Sequence, residues 1–155
     1  KEFAPLKQKN KNFYYSWAVR SFNIAAKLSP EVQIHTHLCY SDFSGIIKWV
    51  NKMNFDVLSI EAAREGARML NCFKGVKFNR AIAPGVWDTH SPLPADDKVI
   101  RDILDKSIKM FGINNIWINP DCGLKTRRKE EIEISLKLMV KIARFYRSKF
   151  KAYEV

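Results

Sequence analysis

The sequence lacks any apolar run long enough to cross a bilayer, and no signal-like segment opens it. The expectation is therefore a soluble, cytoplasmic protein with no membrane partner. Cysteine is sparse: Cys39, Cys72 and Cys122, an odd number without regular spacing. That argues against a disulfide framework and leaves reduced thiols available to metal. No Gly-rich turn follows the first strand-like run, which removes the main sign of a dinucleotide-binding sheet. Linkers and low-complexity tracts are also missing, so residues 1–155 read as a single domain. The chain does not start with Met, which fits a processed product or a piece of a longer protein.

Acidic residues are in deficit. Sixteen Asp and Glu stand against 27 Lys and Arg, a formal net charge of +11. A basic surface favours anionic partners, either nucleic acid or a polyglutamylated small molecule. The cations are scattered over helix faces and cluster only at Lys7–Lys11, Lys125–Lys129 and Lys141–Lys151. A solvated, Lys-rich surface accounts for this better than a nucleic-acid stripe, so nucleic acid is not the expected partner.

What is present is an alternation of helix-like and strand-like segments. Periodicity predicts a helix over 12–28, with Tyr14, Trp17, Ala18, Ser21, Ala25 and Leu28 on one face and Ser29-Pro30 as its stop. A strand is expected at Gln33–Cys39. A helix capped by Asp42 or Ser44 then runs to Met53, and a short apolar strand covers Val57–Glu61. A helix from Arg64 to Phe73 ends at Gly75, and a strand follows at Arg80–Val86. Asp96 opens a helix with Ile100, Ile103, Leu104, Ser107 and Phe111 on one stripe, closed by Gly112. A fourth strand is expected at Asn115–Asn119. The last helix begins near Arg128, with Ile132, Leu136, Met139 and Ala143 facing inward. This α-(βα)₄ pattern predicts an α/β fold with a parallel sheet under helices. Four strands cannot close an eight-stranded barrel, so a TIM-type reading makes the chain about four βα units of one, incomplete here.

Residues able to bind metal or move protons gather at the predicted strand ends, where α/β proteins build their active sites. His35, His37 and Cys39 alternate along one strand and therefore share a face. Glu61 closes the second strand, His90 follows the third and Cys122 follows the fourth. One imidazole, two thiolates and a carboxylate converge from three strands, a donor set that suits Zn²⁺. Singly, each has an ordinary explanation. A buried Cys is usually core, and Cys122 could be a plain loop residue. Glu61 is harder to dismiss, because an unpaired carboxylate ending Val57-Leu58-Ser59-Ile60 would be costly to desolvate. Cys72, beside Leu70 and Phe73, reads as packing, and His35, one step deeper than His37, as a supporting or core residue.

Four motifs resemble cobalamin-independent methionine synthases, in that family's order and near its spacing. They are His35-Thr36-His37-Leu38-Cys39-Tyr40-Ser41-Asp42-Phe43, Ser59-Ile60-Glu61-Ala62, Pro84-Gly85-Val86-Trp87-Asp88-Thr89-His90-Ser91-Pro92 and Asn119-Pro120-Asp121-Cys122-Gly123-Leu124-Lys125-Thr126-Arg127. The resemblance spans nearly the whole chain and implies the last part of a C-terminal catalytic barrel. It implies Zn²⁺ on His37, Cys39, Glu61 and Cys122, His90 as proton donor, and a folate contact from Glu2 in Lys1-Glu2-Phe3-Ala4-Pro5-Leu6, where Lys1 replaces the family's usual Arg. The implied reaction moves a methyl group from 5-methyltetrahydrofolate polyglutamate to homocysteine, giving methionine. The homocysteine-holding segments, most folate contacts and the rest of the barrel are expected upstream of Lys1. Three alternatives stand beside it: a related zinc alkyltransferase with another substrate, a basic zinc-binding module that contacts RNA, and a fragment inactive by itself.

Overall fold

A computed structural model of the chain describes residues 10–27, 31–39, 43–64 and 66–151. Helix α1 (Lys11–Ala25) comes first, then strand β1 (His35–Leu38), the short helix α2 (Ile47–Val50) and strands β2 (Val57–Ile60) and β3 (Ala81–Pro84). Helices α3 (Asp97–Phe111) and α4 (Lys129–Lys151) follow. The strands form a parallel sheet of order β1-β2-β3, with His35, His37 and Leu38 in register with Val57, Ser59 and Ile60, and these in turn with Ala81, Ala83 and Pro84. The segment predicted as a fourth strand lies beside β3 through two isolated parallel bridges, Ile82 to Ile116 and Gly85 to Asn119. Trp117 N donates to Ile82 O at 2.9 Å and Val86 N to Asn119 O at 2.9 Å.

The two faces of the sheet differ as the alternation of side chains requires. Leu58, Ile60 and Ile82 are fully buried, in one core with Ile100, Ile103 and Leu104 of α3 and Ile142 of α4. The opposite face carries His35, His37, Ser59 and Trp117, and it curls. Strands lie about 4.8 Å apart, so rings on the first and fourth rows of a flat sheet would stand about 14 Å apart. The rings of His35 and Trp117 instead meet edge to face with centroids 4.9 Å apart. Ala81 and Ala83, in register with Val57 and Ser59, offer only methyl groups between them.

Helix α3 follows its sequence signals closely. The Asp96 side chain caps it by accepting from Lys98 N at 2.8 Å and Val99 N at 3.0 Å, and Gly112, at φ 79°, ends it. Its buried stripe is Ile100, Ile103, Leu104 and Ser107. Helix α4 starts where Arg128 N donates to Glu131 Oε2 at 3.0 Å. Its buried stripe is Ser135, Met139, Ile142 and Tyr146, about one position away from the expected one, with Ile132, Leu136 and Ala143 only half-buried. Ser135 Oγ accepts from Ala95 N at 3.1 Å, and Tyr146 Oη donates to Asp105 Oδ1 at 2.6 Å, pinning α4 to α3. Burial and that hydrogen bond push the Tyr146 phenol up to about 12.

Three expected helices differ, the one expected up to Met53 being only a 3₁₀ turn at Phe43–Gly45 and the short α2. Trp17, grouped on one face of the first with Tyr14 and Ala18, is 57% exposed, and Tyr15 is the buried residue of α1. Asn23 anchors that helix by accepting from Asn54 N at 2.7 Å and donating to Lys52 O at 3.0 Å. The segment from Arg64 to Phe73 forms only a 3₁₀ helix over Arg68–Phe73. Gly66 at φ 59° and Ala67 at φ 66° hold left-handed backbone there, which an α-helix cannot include. Glu2, Leu28, Ser29, Pro30 and Asp42, and the side chain of Ser44, lie outside the described residues.

Candidate metal centre

The carboxyl ends of β1, β2 and the fourth row bring four side chains from three distant parts of the sequence together. One ligand atom from each of His37, Cys39, Glu61 and Cys122 lies within 4.8 Å of every other. Cys39 Sγ donates to Glu61 Oε1 at 3.3 Å and sits 3.7 Å from Cys122 Sγ. The three are half-buried, while His37 is exposed, so the cluster opens on one side. His37 Nδ1 bonds Ser59 Oγ at 2.8 Å, which leaves Nε2 as the nitrogen available to a cation. Ser59 Oγ also accepts from Asn119 Nδ2 at 2.9 Å, so β1, β2 and the fourth row share one polar chain.

The electrostatics fit a cation. Burial pushes the Cys39 thiol up to about 12, and its hydrogen bonds and like charge from Glu61 and Cys122 push the same way. Without a cation, the Cys39 thiol is therefore held protonated. A divalent ion reverses that preference, since a coordinated thiol is deprotonated. The residues present therefore suit a metal ion held by nitrogen, sulfur and oxygen.

His90 is not in this cluster. It is itself exposed, following the buried residues Trp87 and Thr89 after β3, with its backbone N–H donating to Asp88 Oδ1 at 2.9 Å and its Nδ1 3.5 Å from the same oxygen. The loop after the fourth row holds that segment: Arg127 Nη1 donates to Ser91 O at 2.8 Å and Thr126 Oγ1 to Thr89 O at 3.4 Å. His35 supports nothing in the cluster. It is exposed, bonds Gln33 at 2.8 Å and packs on Trp117. Cys72 is half-buried against the core, as expected of packing.

The residue that sequence reading passed over is Asp121. Its carboxylate is 1% exposed and accepts from Ala62 N at 2.9 Å, Ala63 N at 3.0 Å and Arg64 N at 3.2 Å. Burial raises its pKa, the three backbone donors pull it down, and the Glu61 charge raises it. An acidic residue next to Cys122 in a Pro-Asp-Cys-Gly turn was the available signal, and it reads equally well as turn chemistry. Gly85 makes room for it. A Cβ at position 85 would collide with Asp121 Oδ1 and Cα and lie 2.9 Å from its N. Gly85→Ala is therefore expected to destabilise the fold by about 3 kcal/mol, because backbone as well as side chain must move. A urea titration read by circular dichroism checks this, and a midpoint equal to the parent's would refute the close-approach account.

Fold and site together define an α/β protein with a mixed imidazole, thiol and carboxylate centre at the carboxyl ends of parallel strands. The chain belongs to the family described as cobalamin-independent synthase, catalytic domain, which matches residues 1–145. A relative named 5-methyltetrahydropteroyltriglutamate–homocysteine methyltransferase, from Thermotoga maritima, is 42% identical over 153 residues, covering 98% of this chain and 21% of the relative. The relative of the same name from Vibrio cholerae is 40% identical, covering 98% and 20%. Its namesake numbered 2 from Arabidopsis thaliana is 43% identical, covering 96% and 20%. The chain thus spans about a fifth of the length of these relatives. Among solved structures, a B12-independent methionine synthase from Shewanella sp. W3-18-1 in complex with selenomethionine superposes with a TM-score of 0.71 at 16% identity, over 93% of this chain and 46% of that one. A vitamin-B12 independent methionine synthase described from Listeria monocytogenes gives 0.70 at 16% identity, over 91% and 45%. At that identity the likeness speaks for the fold.

Proposed function

We propose that this chain is the last part of the catalytic barrel of a zinc-dependent methyltransferase. The reaction is transfer of the methyl group of a 5-methyltetrahydropteroyl polyglutamate to the thiol of homocysteine. The observation that carries the reading is the convergence of His37, Cys39, Glu61 and Cys122 within 4.8 Å, in a chain of this family. Zinc suits the spacing. Tetrahedral bonds of about 2.3 Å to sulfur and 2.0–2.2 Å to oxygen put two sulfurs about 3.8 Å apart and sulfur and oxygen about 3.5 Å apart. The separations here are 3.7 and 3.3 Å.

A Zn²⁺ ion held there would lower the pKa of a substrate thiol, so that the thiol could be a thiolate at neutral pH. The protein's own groups do the rest. His37, fixed through Nδ1 by Ser59, presents Nε2, and the two thiolates and Glu61 complete the set. The exposed His37 side would be the side left open to a substrate sulfur. His90 donates a proton to the nitrogen that loses its methyl group, since an amide-like anion leaves poorly unless protonated. Asp88 holds the His90 backbone and lies beside its ring, which orients the imidazole. Glu2 is assigned to the folate, whose glutamate tail suits a chain of net charge +11.

The remaining barrel strands belong beside the open edge of the fourth row. A groove of about 690 Å³ runs there between Ile116, Ile118, Leu136, Met139 and Val140, an apolar lining that a further βα layer would cover. Among the described residues no helix is long and apolar enough to cross a membrane.

The full protein carrying these residues is expected to copurify with one zinc and to form methionine from homocysteine and methyltetrahydropteroyltriglutamate. Dialysis against a chelator should abolish turnover, and zinc should restore it. Elemental analysis and a methionine assay decide the matter, and turnover by a metal-free protein would overturn the proposal.

A further inference from the structure

The four ligand atoms come from three strand ends, His37 in β1 with Cys39 just after it, Glu61 after β2 and Cys122 after the fourth row, and loops hold geometry only where something ties them. Glu61 sits at the start of the turn after β2, and Cys122 lies in the loop after the fourth row. Between them stands one buried carboxylate. Asp121 accepts the three successive backbone N–H groups of residues 62, 63 and 64, directly after Glu61. It is the immediate neighbour of Cys122, and its own N–H donates to Trp87 O at 2.9 Å, reaching the loop after β3. Gly85, the residue after β3, packs against it with no space for a side chain. Three successive N–H groups converging on an anion form a concave donor nest, a geometry that a carboxylate fills better than a neutral side chain does.

We infer that Asp121 is a positioning residue that locks the turn after Glu61 to the loop carrying Cys122, so that the carboxylate and the thiol meet around one ion. This rests on the metal reading above. Asp121 does not touch the ion; it acts through the backbone on both sides. The substitution Asp121→Asn would keep one carbonyl acceptor, lose the charge and the second oxygen, and point an NH₂ group at backbone donors.

The test uses the full protein with Zn²⁺ as the probe and no substrate. Zinc affinity is measured by competition with a chromophoric chelator for the parent, Asp121→Asn and Asp121→Ser, each shown folded by circular dichroism. Amide exchange at Ala62, Ala63 and Arg64 is followed in the metal-free proteins. Expected is a 10- to 100-fold weaker zinc affinity, of the order seen when a partner supporting a metal ligand is removed, together with faster exchange at those three amides. The Asp121→Ser variant covers the case in which Asp121→Asn fails to fold. Either folded variant binding zinc as tightly as the parent overturns the inference. A parent that takes up no zinc overturns the metal reading and this inference with it, an outcome distinct from equal binding by all three proteins.

Discussion

Replacing Cys122 by Ser is expected to abolish zinc retention and methyl transfer together. Cys122 Sγ stands 3.7 Å from Cys39 Sγ, and both belong to the four-donor cluster. A serine hydroxyl is a little smaller and stays protonated at neutral pH, so it brings neither charge nor soft donor character to the ion. Loss of a partner that only supports a ligand weakens metal binding about 10- to 100-fold, and loss of a ligand itself is expected to exceed that range. The fold should survive, because Cys122 is half-buried and outside the core built on Ile82, Ile100 and Leu104. Zinc content after gel filtration, read beside the rate of methionine formation, checks the expectation. A folded Cys122→Ser protein that keeps one zinc per chain would remove Cys122 from the ligand set.

Replacement of His90 by Ala should give the opposite dissociation of effects. Zinc stays, because His90 is outside the cluster. Methyl transfer slows by about 10²- to 10⁴-fold, the usual worth of a positioned proton donor. Substrate affinity should change little, so the loss falls on kcat rather than KM. The turn carrying His90 is held by Asp88, Arg127 and Thr126 through backbone atoms of residues 89–91, so truncating the imidazole leaves its supports in place. A rate within about threefold of the parent would end the proton-donor role. Loss of zinc would show instead that His90 takes part in holding the ion.

The site was more legible in the sequence than the helices around it. Alternation along His35, His37 and Cys39 and the placement of Glu61 and Cys122 at strand ends depend on the two-residue period and on parallel strands, and both hold. Helix α3 was equally readable, because cap, stripe and glycine stop all agree. The segment after Arg64 was not. Its composition suits a helix, and only the left-handed backbone at Gly66 and Ala67, which follows the tether to Asp121, prevents one. In α1 the spacing grouped Trp17 with Tyr14, Ala18, Ser21 and Ala25 on one face, but the buried residue is Tyr15. Asp121 escaped notice since its partners are backbone N–H groups, which leave no trace in side-chain pattern. The His35–Trp117 contact was equally hidden, because it arises from curvature across four rows and not from anything local.

The sequence distance across the centre has a further consequence for how the protein is made. Cys39 and Cys122 are 83 residues apart. At about 5–20 residues per second, a ribosome needs about 4–17 s to pass from one thiol to the other. Glu61 follows Cys39 by 22 residues, and from then until the chain reaches Asp121 and Cys122 the first three donors stand without their fourth companion or the carboxylate that steadies them. On the metal reading proposed above, capture of the ion follows closure of the fourth row, and an occupied centre would mark a chain whose loops have all docked.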